Sequence, residues 1–273
     1  MKQALKWKIA HSQTLCGTLS DWVPASVPGC VQLDMAAAMD LPLYFTGDHE
    51  ENYAWMEDCF WHYRTKFAVA ENSGVPFLRL NAVDYEYDLL IDGTLQFHHE
   101  GMFTARELDL SPWCGQTVSV EAVVYPAPKA PGSVFVRGLG NEASQSCKPA
   151  FSYGWDWCPR FVTLGLADEA YVEYRPVACL TDVQISYHLS DDLQVASITL
   201  EYAASVPGTV RCRLFAPGGT EVLCKEVPSS DASTELTLLK PQLWWPHNHG
   251  AQPVYTVAVT LLVGGEETDT HTK

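Results

Sequence analysis

The strongest constraint on this chain is a run of strict alternation that ends in a turn dipeptide. Val83, Tyr85, Tyr87, Leu89 and Ile91 alternate with Asp84, Glu86 and Asp88, and Asp92-Gly93 follows before Thr94 to His98. Successive side chains of a strand point to opposite faces, so this run reads as a strand with one buried face, and the three acids as its solvated side. Asp-Gly supplies the positive φ angles that a two-residue hairpin turn demands. The same period recurs where Trp61, Tyr63, Thr65, Phe67 and Val69 alternate with His62, Arg64, Lys66 and Ala68. Residues 117–124, 161–166 and 170–174 extend this first set of strands, and only 31–39, after Pro28-Gly29, has the spacing of a short helix.

A second set of short strands follows Pro176, at residues 183–189, 194–202, 209–215, 221–227, 234–238 and 254–263, separated by turns such as Pro207-Gly208 and Pro217-Gly218-Gly219. Six or seven strands in ~95 residues is the scale of an immunoglobulin-like sandwich. The expected architecture is all-β, with a first domain over 1–176 and a second over 177–273. No alternating βα units occur, which excludes a Rossmann or P-loop enzyme within the chain.

Composition narrows the function classes. Hydrophobic residues make up 47% of the 273 and charged residues 18%, so the chain carries a packed core. No apolar run approaches the ~20 residues of a membrane-spanning helix, and no membrane partner is expected. Lys and Arg total 17 against 33 Asp and Glu, a net charge of -16, which disfavours nucleic acid. The nine cysteines include no C-x-x-C pair, and His98-His99-Glu100 and His247-Asn248-His249 lack metal-ligand spacing, so neither a metal nor another cofactor is expected. Scattered thiols and an N-terminus broken by Lys8, His11, Ser12 and Gln13 point to a cytoplasmic protein, with prior removal of a signal peptide as the alternative.

One stretch resists the strand reading. Residues 125–151 carry Pro126, Pro128, Pro131, Gly132, Gly138, Gly140 and Pro149 with little periodicity, and a loop of that length is characteristically functional or disordered. It leads into Ser152-Tyr153-Gly154-Trp155-Asp156-Trp157-Cys158-Pro159-Arg160. Aromatic faces stack on sugar C–H surfaces while a carboxylate accepts from hydroxyls, so this order of residues suits carbohydrate recognition. Tryptophans are ordinarily core residues, however. On a regular strand Trp155 and Trp157 would share one face and Asp156 the other, so the three can line one pocket only on an irregular backbone. The alternating acids Asp84, Glu86 and Asp88 read as a sheet surface rather than as catalytic carboxylates, and the pair Glu57-Asp58 is a weaker candidate still.

These residues resemble a known family. Trp22-Val23-Pro24-Ala25, Val27-Pro28-Gly29-Cys30-Val31, Gly47-Asp48-His49-Glu50, Trp55, Glu57-Asp58-Cys59 and Trp61-His62-Tyr63-Arg64 are similar to the N-terminal region of the β-mannosidases of glycoside hydrolase family 2. Asp88 to Gly93, His99-Glu100-Gly101-Met102-Phe103-Thr104 and Leu243-Trp244-Trp245-Pro246-His247-Asn248-His249-Gly250 continue the likeness, and Ser152 to Arg160 matches a family motif at all positions but Cys158, where the family has glycine. Two further departures are Asp92-Gly93 for Asn-Gly, and Gly165-Leu166-Ala167-Asp168 in place of a Trp-Arg-Pro sequence.

The resemblance implies a jelly-roll sugar-binding-type domain, then an immunoglobulin-like domain, then a (β/α)8 barrel that holds both catalytic glutamates and lies outside this sequence. No residue here is therefore assigned a catalytic role, and this chain alone is expected to be inactive. The implied parent is a retaining exo-β-mannosidase whose partners are a carbohydrate with terminal β-mannose and the barrel of the same polypeptide. Asp156 is implied to contact the terminal sugar, with Trp155 and Trp157 bracing its loop. The rival readings are a non-enzymatic carbohydrate-binding or scaffold protein, an exo-β-glucosaminidase, or a glycoprotein endo-β-mannosidase. Cysteine in place of glycine at 158 questions the local backbone, because only glycine adopts positive φ without cost.

Overall fold

The computed structural model describes residues 2–71, 74–133, 142–143 and 146–273. Gly138 and Gly140 of the long loop lie outside the described residues. The chain divides into two compact units, Met1–Tyr174 and Arg175–Lys273.

The first unit is built on strands β1 (Lys2–Ala4), β2 (Trp7–Ser12), β3 (Val23–Ala25), β4 (Phe60–Ala68), β5 (Val75–Leu80), β6 (Glu86–Ile91), β7 (Thr94–Glu100), β8 (Arg106–Asp109), β9 (Thr117–Val124) and β10 (Ala170–Arg175), with helix α1 at Val31–Met39. They form a six-stranded sheet in the order β3-β2-β4-β9-β6-β7, antiparallel throughout, and a four-stranded sheet in the order β1-β10-β5-β8, in which β1 pairs with β10 and β5 with β8 antiparallel. The core joins the inward faces of both: Ile9, Trp61, Tyr63, Leu89, Val120 and Ala122 from the larger sheet meet Leu78, Leu80 and Val172 from the smaller. Asp92 and Gly93 both take positive φ, 47° and 79°, as the hairpin turn between β6 and β7 requires.

Two readings of this unit need correction. The alternating run does not begin as sheet at Val83. Asp84 leaves β6 and instead exchanges backbone hydrogen bonds with Gly165 (N–H to O 2.8 and 2.7 Å), so its carboxylate enters the interior while Glu86 and Asp88 stay on the outer face. Residues 161–166 form no strand, only that isolated bridge. Their backbone partners lie outside any sheet: Val31 N–H donates to the Leu164 carbonyl, Gly29 N–H to that of Leu166, and the Gln32 side chain clamps Val162 and Leu164 from both sides. A Cβ at Gly165 would fall 2.2 Å from the Tyr63 hydroxyl, so this crossing requires glycine. Strands β1, β2, β3, β5 and β8 are short or carry mixed patterns, and alternation did not mark them.

The second unit comprises β11 (Leu180–Leu189), β12 (Val195–Ala204), β13 (Thr209–Phe215), β14 (Glu221–Pro228), β15 (Ser233–Leu239), β16 (Thr256–Val263) and β17 (Glu266–Thr272). The sheets β11-β12-β15 and β14-β13-β16-β17 enclose Leu200, Val210, Cys212, Leu214, Val259 and Leu261, each almost completely buried. This is the immunoglobulin-like sandwich. Its last strand, β17, was not anticipated: Glu266-Glu267-Thr268-Asp269-Thr270 offers no apolar face, and only pairing with β16 makes it a strand. Among the described residues no helix is long and apolar enough to cross a membrane.

Candidate functional site

The peptide singled out from the sequence stands on a small hairpin of its own. Trp155 and Cys158 exchange both backbone hydrogen bonds, each 3.2 Å, which makes Asp156-Trp157 a two-residue tip. Below them Phe161 N–H donates to the Ser152 carbonyl at 2.9 Å. The irregular backbone needed to present all three residues together is therefore present. Trp155 and Trp157 are 46% and 78% exposed, and their rings meet edge to face with centroids 6.1 Å apart. Asp156 is exposed, and its carboxylate has no partner among the described residues. Cys158 does not take positive φ, so cysteine fits this backbone where glycine was expected.

Two buried ion networks underlie the hairpin. Arg160, on the descending limb, directs its guanidinium at Glu57 and Glu142, and Nη1 also reaches the Tyr153 carbonyl on the ascending limb at 3.0 Å. Lys129 adds a second cation, 2.8 Å from Glu57 and 2.6 Å from Asp58. Burial opposes the charges on Arg160 and Lys129, but the carboxylates outweigh it and hold both cations above their ordinary pKa. In the second network the fully buried Lys148 Nζ lies 2.6 Å from both Asp84 oxygens and donates to the Thr163 carbonyl, while the Thr163 hydroxyl donates to Asp84. Here burial wins and draws the Lys148 ammonium below its ordinary value, against the pull of Asp84.

Sequence reading missed both networks. Glu57 reads from sequence as half of an acidic pair and as part of a family-like motif, and Lys148 and Glu142 sit in the aperiodic loop. The one available signal was that loop's long-range partner set, which a linear pattern does not contain.

A serine, histidine and glutamate also come together unannounced on the outer face of the larger sheet. Ser12 Oγ lies 3.2 Å from His62 Nε2, His62 Nδ1 lies 2.7 Å from Glu121, and Arg64 forks onto the other Glu121 oxygen. Ser12 donates its hydroxyl proton to the Thr14 carbonyl rather than to His62 and is 2% exposed, so it is not poised as a nucleophile. Burial works against ionisation of Glu121, but the bonds from His62 and Arg64 prevail and hold its carboxyl below its ordinary value.

The remaining candidates are structural in their surroundings. Asp88 accepts from Tyr125 and faces His98 at 2.7 Å, and burial together with that bond pushes the Tyr125 phenol up to about 12. No cluster of three metal-ligating side chains occurs among the described residues. In the second unit, Tyr187, Leu193, Trp244, Trp245 and Val254 line an apolar groove of about 760 Å³. Among the described residues no Asp or Glu side chain lines it.

Comparison with known proteins agrees with this fold. Residues 7–168 match the family model described as the glycosyl hydrolase 2 galactose-binding domain-like domain, and 178–273 match that of glycosyl hydrolases family 2. The chain is 26% identical over 256 residues to a protein named β-mannosidase B from Emericella nidulans, covering 86% of this chain but 30% of the relative. A protein of the same name from Aspergillus clavatus is 28% identical over 274 residues, with 90% and 31% covered. This chain thus spans about 30% of the length of such relatives. Among solved structures, a β-D-mannosidase from Dictyoglomus thermophilum superposes with a TM-score of 0.77 at 24% identity, covering 98% of this chain and 34% of that one. A β-glucuronidase from Ruminococcus gnavus gives 0.68 at 19%, covering 100% and 42%.

Proposed function

Because the chain belongs to glycosyl hydrolase family 2, we propose that it is the N-terminal, non-catalytic region of a retaining exo-β-mannosidase. In this reading it positions Asp156 against a hydroxyl of the terminal mannose. One observation carries the assignment: an exposed carboxylate without a partner among the described residues stands at the tip of a hairpin whose base is fixed by buried ions. A solvated acid has no need of such a foundation, whereas a group that must meet a ligand in one orientation does. The two carboxyl groups of a retaining enzyme stand ~5 to 5.5 Å apart around the anomeric carbon, and they would come from the polypeptide beyond this region. The names of the relatives support mannose over other sugars. The scattered spacing of the nine cysteines is the basis for placing the protein in a reducing compartment in this reading.

The test is Asp156→Ala in the longer polypeptide that carries this chain. The expected loss in kcat/KM on an aryl β-mannoside is ~10 to 200-fold, the equivalent of a charge-assisted hydrogen bond of ~1.5 to 3 kcal/mol. The 273-residue chain alone should show no turnover, and in it the same substitution should leave Tm nearly unchanged. Preserved activity per folded molecule, together with a large fall in Tm, would make Asp156 structural and overturn the assignment. Preference for a β-glucosaminide in a substrate panel would move the substrate class.

A further inference from the structure

The guanidinium of Arg160 makes five hydrogen bonds to described residues. Nε and Nη2 donate to Glu57 at 3.2 and 2.5 Å, Nη1 and Nη2 to Glu142 at 2.5 and 3.3 Å, and the second Nη1 proton goes to the Tyr153 carbonyl at 3.0 Å. Those five contacts match the five N–H donors of an arginine. Their side chains are buried, with 10% of Arg160, 7% of Glu57 and 6% of Glu142 exposed. The placement of the partners matters more than their number. Arg160 follows the tip by way of Pro159, and Tyr153 precedes it by way of Gly154, so one planar group spans both limbs just below the Trp155–Cys158 pair. Glu57 comes from the 3-10 helix Ala54–Asp58, whose Met56 carbonyl is held by the indole of the core residue Trp61. The hairpin is thereby referred to the sandwich core through a rigid fork. Gly154, at φ 102°, and the exposed tip would otherwise leave its angle to the domain free.

We infer that Arg160, clamped by Glu57 and Glu142, is a positioning residue for Asp156. It sets the direction in which the tip carboxylate leaves the domain, and this rests on the substrate contact proposed above. Lysine cannot substitute. It carries the charge, but its ammonium is a point with three donors and cannot hold two carboxylates and a carbonyl in one plane. Glu142→Gln keeps the size and an acceptor while removing one charge, so it loosens the fork with less disturbance of packing.

The experiment is a double-mutant cycle on kcat/KM in the longer polypeptide, with rates expressed per folded molecule. Arg160→Lys and Glu142→Gln are each combined with Asp156→Asn. Misplacing a binding group by about an ångström costs up to ~100-fold, so each single fork variant should lose roughly 10 to 100-fold. In the Asp156→Asn background the same fork substitutions should cost less than about twofold, because nothing then remains to be positioned. Equal losses in both backgrounds would show that Arg160 acts elsewhere, and the inference falls. Losses that only track the folded fraction would make Arg160 a folding residue, with the same result. If Asp156→Asn alone is without effect, the substrate contact itself is refuted and the inference goes with it. Loss at Asp156 with fully active Arg160→Lys and Glu142→Gln refutes only the positioning role.

Discussion

The two units of this chain place their charges in opposite ways. In the first, Lys148 and Asp84 are 0% and 2% exposed, Arg160 lies between two buried glutamates, and His62 and Glu121 join Arg64 beneath Trp22. In the second, Arg211 reaches Glu226 and Glu267 on the surface, where both glutamates are half exposed, and the interior is aliphatic and aromatic. Both are β-sandwiches around a buried apolar cluster, so sandwich formation does not account for the contrast. The irregular segments of the first unit do. A peptide such as 146–166 has few ladder hydrogen bonds to fix its course, and buried ion pairs, which are poor sources of net stability, can specify one geometry.

Three measurements test how deep this difference runs. The largest effect is expected at Lys148. Lys148→Met leaves Asp84 charged and buried, and the loss of one partner of such a pair costs about 3 to 5 kcal/mol, read from urea unfolding of the first unit's transition. A small loss there would mean that water reaches Asp84 and that the contrast between the units is overstated. A smaller effect depends on pH. The carboxyl of Glu121 is held below its ordinary value of 4.5, so the stability it contributes is complete above that value and is lost as the pH falls through the depressed folded-state value. The difference in unfolding midpoint between the parent chain and Glu121→Gln should therefore shrink between neutral pH and about pH 3. A difference that instead grows on acidification would reverse the assignment. The smallest effect belongs to the second unit, where Arg211→Ala should leave the unfolding midpoint unchanged within error, since exposed pairs gain little. A clear fall there would place surface ions among the supports of the sandwich and remove the distinction.

Legibility in the sequence follows the same division. Alternation located β4 and β6, where a period of two separates wet from dry positions, while β9 and the strands β11 to β16 were marked as short runs bounded by turn residues. It failed at 161–166, an alternating segment whose hydrogen bonds go to Gln32, Asp84 and the entrance of α1. It failed again at Asp84, where a residue that fits a solvated register turns inward to meet a lysine 64 positions away. The tip residues Trp155, Asp156 and Trp157 stood out by composition and by family likeness. Their supports, Glu57, Glu142, Lys148 and Arg160, act through contacts between distant positions, and no local pattern encodes those.

The closure between Trp155 and Cys158 uses main-chain atoms alone. Among the described residues the Asp156 side chain takes no part in the frame that displays it, Trp157 touches it only through the edge of the Trp155 ring, and cysteine at 158 sits there without positive φ. Frame and display are thus chemically separable. A descendant of this sequence could exchange the two tip residues by single substitutions that leave the fold and its buried ions intact. Under the substrate contact proposed above, variation at the tip would alter what the hairpin meets while its foundation stays the same.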